Sequence, residues 1–405
     1  MIGTVIFLWA IGVLVPAPAN PAEKTAERPV SKIVIAYSSI SGNMAPLWVT
    51  YEKGFFSKYG LDVQLVLVEG GSKAAQTLAS GDVAFAQMAG AGVIQSNLRG
   101  ADTVMIAGIL NTMNYQFIVD KNIQRPDQLK GKAVAVSRYG SSSDFAIRFA
   151  LDKYSLVPEK DVRILEIGTQ PDRFAALESG RVQGVMLEVP QSLQAKKMGF
   201  RVLANLKMLG LEYQHTGLAT TRSLIKSQPD LVRNVMKAYV EGIHYYKTHR
   251  QESLSVLAKY LKTNNADALK EIHEDIGLAL VPAKPYPTLK GIDAILREVA
   301  GKEPEAKSAR PAQFVDMSFV KELDNSGFID RLYKTKPIVV AAKPPRLPVE
   351  PVDYAVKAGD TLSDLAEWFY GSALKWPKIY EANRKVIANP NYIYIGQKIA
   401  IPPVA

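Results

Sequence analysis

The chain contains no cysteine in its 405 residues. Disulfides, thiolate metal sites and cysteine nucleophiles are therefore excluded, and there is no thiol to carry an N-terminal lipid. Histidine is nearly as scarce, with His215, His244, His249 and His273 the only four. None pair at a metal-ligand spacing such as HExxH, and His244 and His249 are five apart, which is not one helix face. Neither a metal nor any other cofactor is expected. Signatures of the GxSxG, Walker A and GxGxxG kind are also missing. Ser141, Ser142 and Ser143 have no histidine close in sequence. His215 is their sole candidate partner, and it reads as a cleft-wall or hinge residue in preference to a general base. No catalytic residue is assigned, and no enzyme activity is expected. A contiguous Lys/Arg run with interleaved aromatics is absent as well, so nucleic acid is not an expected partner.

What is present is ordinary globular material, 47% hydrophobic and 22% charged, enough for two to three domains with large cores. The formal charge is +10. Such an excess suits an anionic wall polymer, a membrane surface or an acidic ligand, and equally suits simple solubility. Five basic residues and no acidic one lie between Arg331 and Pro348.

The first residues resemble an export signal. Val5 to Val15 form an apolar run too short to span a bilayer comfortably. Pro16-Ala17-Pro18-Ala19 follows, an Ala-x-Ala pattern that predicts cleavage before Asn20, with a cut after Ala22 as the alternative. Residues 1–22 are thus expected to be a signal peptide, and the mature chain to be periplasmic or wall-associated. Met1 to Thr4 carry no Lys or Arg, which leaves a retained anchor as the alternative.

Along the chain, β-branched runs alternate with helical segments. Val30–Ile35, Leu61–Val68, Val83–Ala86, Val104–Gly108, Gln116–Val119, Lys132–Val136, Val162–Ile167 and Val182–Leu187 read as strands. This alternation predicts mostly parallel sheets with helices on their faces, in two similar halves. After Thr221 the pattern is mainly helical, and Lys336 to Pro351 is a Pro- and Ala-rich linker. Four small-residue loops fall where strands end and helices begin: Ser38–Asn43, Gly70–Ser72, Gln87–Ala91 and Gly140–Asp144. Small residues let a ligand approach the unpaired N–H groups of a helix start, and in open α/β sheets ligands sit at such strand ends. Each loop alone also fits plain helix capping. Four together predict a cleft.

The stretches Ala45–Phe56, Tyr59–Val63, Leu78–Phe85, Leu129–Val136 and Ala176–Gly184 resemble the nitrate/sulfonate/taurine-type and thiamine-pyrimidine-precursor-type substrate-binding proteins of ABC importers. The resemblance covers residues 32 to about 300. It implies an α/β, two-lobed type II periplasmic-binding-protein fold over residues 30–335. Lobe 1 would take about 30–117 and 220–335, and lobe 2 about 118–219, with crossings near Tyr115–Asp120 and Thr216–Arg222. It further implies a small-molecule solute, anionic or heteroaromatic, held between the lobes, and an inner-membrane ABC permease as partner. The ligand contacts it implies are Ser39, Ser41, Asn43, Gln87, Met88, Ser141, Ser142, Ser143 and Glu188. Arg138 would favour an anion and Glu188 would oppose one. The same resemblance includes a pyrimidine-precursor synthase branch, whose Cys- and His-rich iron sites this chain lacks; a wall-associated ligand sensor is the other alternative.

Residues 352–403 resemble a LysM module. Tyr354–Ala366, Trp376–Arg384 and Ile395–Pro402 carry the pattern. The resemblance implies a small α+β (βααβ) fold that binds peptidoglycan or another N-acetylglucosamine glycan through Gly359, Asp360, Thr361, Leu362, Asn389, Pro390 and Ile393. Residues 350–405 hold six basic and six acidic residues, so glycan contact through hydrogen bonds is expected there.

Overall fold

Strand propensity in this chain is concentrated in short β-branched runs, and the computed structural model pairs ten of them into two five-stranded sheets. It describes residues 31–209, 211–301, 303–334, 350–356, 360, 362–370, 375–387, 390, 393 and 396–403. The expected signal peptide and residues 336–349 of the linker lie outside the described residues.

In chain order the strands are β1 (Ser31–Tyr37), β2 (Leu61–Leu67), β3 (Phe85–Met88), β4 (Thr103–Thr112), β5 (Gln116–Val119), β6 (Ala133–Val136), β7 (Arg163–Glu166), β8 (Gly184–Leu187), β9 (Arg201–Asn205) and β10 (Glu212–Thr221). The first sheet has the order β2-β1-β3-β10-β4, the second β7-β6-β8-β5-β9. Each contains a parallel trio: β2, β1 and β3 in one, β7, β6 and β8 in the other. An antiparallel strand then joins each trio to its last strand: β10 in the first sheet and β5 in the second. The two halves are therefore similar, as the repeated strand–loop–helix pattern implies, and the chain runs between them twice.

The positions of these passages differ from the sequence-based expectation. Thr216–Arg222 does not form the return crossing, because Thr216 to Thr221 sit inside β10, paired with β4. The outward passage is residues 113–115, and the return passage follows β9 through Leu206–Leu209 to β10. Strands β9 and β10 carry no clean alternation. Glu, Gln, His and three Thr interrupt β10, yet Tyr213 to Thr220 are all buried because the strand is flanked on both edges and covered on both faces. A doubly covered strand need not alternate.

Helices cover the sheets. The longest, Pro229–Thr248, crosses Ala45–Glu52 at close range. Gly242 makes that approach possible. A Cβ there would lie 1.8 Å from Thr50 Oγ1 and 2.9 Å from Thr50 Cα. Gly242→Ala adds about 1 kcal/mol of helix propensity. Overpacking against backbone costs about 1–3 kcal/mol and cannot be relieved by a rotamer change. Net destabilisation is expected, read as a lower denaturant midpoint; a midpoint equal to or above that of the parent chain would show the crossing to be looser than described.

The C-terminal unit has its own core. β11 (Val352–Ala355) pairs antiparallel with β12 (Lys398–Ile401), and the helices Leu362–Tyr370 and Trp376–Ala382 pack between them in sequence. Tyr354, Leu365, Ala366, Phe369, Ile379, Ile399 and Ile401 are buried together, with Trp368, Trp376 and Tyr380 partly covering them. Asn383 ties helix to strand: its amide nitrogen donates to Ile379 O at 2.7 Å and Ala400 O at 2.6 Å, and its oxygen accepts from Ala400 N at 2.8 Å.

Candidate functional site

Parallel strands that point the same way deliver their following loops to one edge. In the first sheet these loops are Ser38–Gly42 after β1 and Glu69–Gly70 after β2. In the second they are Ser137–Ser141 after β6, Gly168–Thr169 after β7 and Glu188–Pro190 after β8. The two sets face each other. Between them lies a cavity of ≈ 30 Å³ whose lining includes Ser39, Asn43, Gly70, Tyr115, Ser142, Gln170, Arg173 and His215. That volume accommodates a water-sized group or two. Beside it a groove of ≈ 890 Å³ opens between the lobes, with Gln95, Arg138, Tyr139, Ser141 and Glu166 on its walls.

The lobes touch where those two spaces adjoin. Gln95 Nε2 donates to Gly140 O at 3.1 Å. Arg138 spans Glu69 of the first lobe at 3.9 Å and Glu166 of its own at 3.8 Å. Gly70 has a φ of +84°, and a Cβ on it would stand 2.8 Å from Arg138 Cγ, so the turn needs glycine for both its backbone and its neighbour.

A second, deeper contact centres on Glu188, which is 2% exposed. Its Oε1 accepts from Asn43 Nδ2 and lies 3.1 Å from His215 Nε2. Its Oε2 accepts from Gln170 Nε2 at 2.6 Å, and its own backbone N–H donates to Gln170 Oε1 at 2.6 Å. Asn43 and His215 belong to the first lobe, Gln170 and Glu188 to the second. Burial alone pushes the Glu188 carboxyl up. The His215 ring and hydrogen bonds from Ser41 and Gln170 more than offset this and hold it below the ordinary glutamate value. Burial pushes the Tyr115 hydroxyl up, and the Glu188 carboxylate adds to that rise.

Arg173 sits at the start of the helix Gln170–Glu178, behind a capping box between Thr169 and Asp172. It is 2% exposed. Nη1 donates to Gly168 O at 2.6 Å and Nη2 to Met186 O at 3.2 Å. Burial draws its pKa down, with Tyr115, Glu188 and Asp172 opposing that, and a guanidinium starting so high stays charged.

Of the residues singled out from the sequence, Ser39, Asn43 and Ser142 line the cavity. Ser41 is buried beside them and shares a hydroxyl contact of 3.2 Å with Ser39. Ser141 caps the helix Ser142–Lys153 and reaches the outer groove. Three others are turned to structural work. Gln87 donates to Asn43 O at 2.8 Å and accepts from Tyr239 at 2.5 Å, bracing the Asn43 turn from behind. Met88 lies within β3, not in a loop, and its side chain is in the core with Ala36, Leu78 and Val93. Ser143 Oγ accepts from Ser137 N at 2.9 Å, tying the loop to its own helix. Glu188 is brought to the cleft, but its acceptors are engaged by protein donors from both lobes. Arg173, Gln170, Gly168 and Tyr115 were not singled out. The loop Gly168–Thr169 carries the same strand-end, helix-start signal as the four that were, though with one glycine in place of a run of small residues.

In the C-terminal unit, Asp360 accepts from Tyr354 Oη at 2.8 Å. Leu362 is buried in the core, which removes its side chain from an outer groove, because a packed leucine is unavailable to a ligand. Pro390 and Ile393 are partly buried. Gly359, Thr361 and Asn389 lie outside the described residues. Among the described residues there is no cluster of three or more metal-ligating side chains, and no helix is long and apolar enough to cross a membrane.

Residues 41–253 match the family described as NMT1/THI5 like, and residues 354–402 match the LysM domain. The binding protein YtlA of Bacillus subtilis is 26% identical over 254 residues, which is 62% of this chain and 73% of YtlA. The riboflavin-binding protein RibY of Chloroflexus aurantiacus is 24% identical over 257 residues, 60% of this chain and 72% of RibY. The solved structure of the alkanesulfonate-binding protein SsuA of Xanthomonas axonopodis pv. citri, bound to MOPS, aligns with a TM-score of 0.59 at 17% identity. That alignment covers 72% of this chain and 99% of SsuA.

Proposed function

The chain belongs to the NMT1/THI5-like family, and from that membership we propose that it works as the extracytoplasmic solute receptor of an ABC importer, held at peptidoglycan by its LysM domain. It is a substrate-binding protein of the ABC-import type with a C-terminal LysM domain. The finer reading adds a captured solute, an inner-membrane permease that receives it, export of the chain and tethering to the wall. Binding without turnover is the reading, since YtlA, RibY and SsuA are all named as binding proteins.

The observation that carries this reading is the convergence of strand-end loops from both sheets on one buried polar cavity. A solute seated there would touch both lobes and so favour their closed arrangement. The ligands in the relatives' names, riboflavin and an alkanesulfonate, are respectively planar and anionic. The cavity walls offer something to both: the Tyr115 and His215 rings, with centroids 4.8 Å apart, and the Arg173 cation.

Native mass spectrometry of protein purified without refolding should reveal a co-purified small solute, and riboflavin and MOPS serve as first probes in a thermal-shift screen. Ser142→Trp and Ser41→Phe should each abolish the shift given by whichever solute is found. A stranded buried partner costs about 1–3 kcal/mol, roughly 5- to 150-fold in affinity. Undiminished binding by both variants would place the solute elsewhere.

A further inference from the structure

The turn Ser41–Met44 supplies two of the groups that reach across the lobes. Asn43 Nδ2 donates to Glu188 Oε1, and the Ser41 hydroxyl donates to the same carboxylate. Two backbone bonds close the turn, from Met44 N to Ser41 O at 3.1 Å and from Ala45 N to Gly42 O. Gln87 braces it at Asn43 O. At Gly42, between the two cleft residues, the support is Ile272. A Cβ built on Gly42 would lie 2.4 Å from Ile272 Cγ2, 3.1 Å from its Cγ1 and 3.3 Å from its Cβ. Both γ carbons of a β-branched side chain are thus packed close against the turn. Ile272 is fully buried, in the same apolar cluster as Met44, Trp48 and Val189 of the second lobe.

Ile272 opens a π-helix, Ile272–Leu278. Such a helix is rare, and here its neighbours hold it along its length. The Tyr246 ring sits where Gly277 leaves room: a Cβ on Gly277 would be 2.7 Å from Tyr246 Oη. His273 Nε2 lies 2.9 Å from Tyr246 O. Lys247 Nζ donates to Gly277 O and Leu278 O at 3.0 Å each and to Val281 O at 2.6 Å. Its three donors meet three carbonyls at the C-terminal end of the π-helix, where carbonyls lack partners within the helix and a cation is favoured. Tyr246 and Lys247 both belong to the long helix Pro229–Thr248. That helix fixes the π-helix, and the π-helix backs the turn.

Resting on the receptor reading, we propose that Ile272 is a positioning residue for the solute site. Its two γ carbons seat the Ser41–Met44 turn, which carries Ser41 and Asn43 to the cleft, and Lys247 holds in place the π-helix that bears it. The cleft's geometry is then set in part from outside its own lining. In a close-packed interior a missing γ carbon is felt by its neighbours, and here the neighbour is the backbone of the binding turn.

Hydrogen–deuterium exchange on the full chain tests this without any solute, so its failure leaves the receptor reading standing. Ile272→Ala removes both γ carbons. It should speed exchange in peptides spanning Ser41–Trp48 by about tenfold, equivalent to 1.4 kcal/mol of local opening. Peptides from β5 and β6 should exchange as in the parent. Ile272→Val keeps every atom that meets Gly42 and should match the parent in the turn. Lys247→Met keeps the stem and removes the ammonium, and should speed exchange in Ile272–Val281 and in the turn together. Gly42→Ala should disturb the turn by itself. Combined with Ile272→Ala it should bring exchange back toward the parent, because the new methyl fills the vacated seat. A parent-like turn in both Ile272→Ala and Lys247→Met, or equal acceleration in β5 and β6, overturns the proposal. So does a turn as fast in Ile272→Val as in Ile272→Ala, or simple additivity of Gly42→Ala and Ile272→Ala.

Discussion

Glu188→Ala should separate the two lobes and lower the melting temperature, the largest single-residue effect expected in the main domain. The carboxylate joins the lobes through Asn43 and His215 on one side and Gln170 on the other, all out of water. Removing one partner of such a buried charged cluster costs about 3–5 kcal/mol when the survivors stay buried. Here they have an escape. Opening the cleft rehydrates Asn43, Gln170 and His215, so the loss is capped by the cost of opening, and part of it should appear as a larger radius of gyration in small-angle scattering. Glu188→Gln should not rescue the parent behaviour. The groups facing the side chain are donors, and the new amide nitrogen would point a fifth donor at them. The pH dependence follows from the lowered Glu188 value. A carboxyl whose folded value lies below its unfolded one stabilises fully above the ordinary value of 4.5 and loses that contribution as pH falls through the folded value. The parent's acid sensitivity below that point should therefore shrink in Glu188→Ala. An unchanged scattering radius together with an unchanged melting temperature would show that Glu188 holds nothing together.

Ending the chain at Lys336 should remove most or all of its co-sedimentation with insoluble peptidoglycan, and a fragment of residues 350–405 should sediment by itself. The fragment has what independent folding requires: a strand pair, two helices and a closed apolar core that Asn383 and Tyr370 lock to β12 and the chain beyond it. Its size is near the lower limit for a single core, so the packing of Tyr354, Phe369 and Ile379 must be complete. Six acidic and six basic residues leave it neutral, and binding should therefore persist at salt concentrations that screen surface charge. If the shortened chain sediments as well as the whole, its basic surface is responsible and the tether assigned to the LysM domain is absent.

How much of this was open to sequence alone depends on the distance between the groups involved. The helix start at Ser141–Asp144 and strands such as β5 and β6 follow from local chemistry: hydroxyl caps, β-branched runs and glycine turns within a few residues of one another. The LysM core was equally open, because Leu362, Leu365, Ala366 and Phe369 recur at helical spacing. β10 was not. Its mixed polar sequence is buried by neighbours drawn from two earlier strands, and nothing in Glu212–Thr221 itself reports them.

Sequence by itself determined the alternation of strands and helices, the strand-end loops of small residues, the absence of thiol and clustered-histidine chemistry, and the separate C-terminal unit. All of these are properties of neighbours along the chain. Tertiary structure decided which loops meet and what each polar group does there. Asn43 and Glu188 are 145 residues apart, yet they share one hydrogen bond because β1 and β8 end at facing edges of two sheets. Glu188 engages the cleft's own donors, Met88 turns to the core, and Arg173 and His215 line the cavity. Such roles depend on desolvation and on donor–acceptor matching between distant segments, and periodicity carries no record of either.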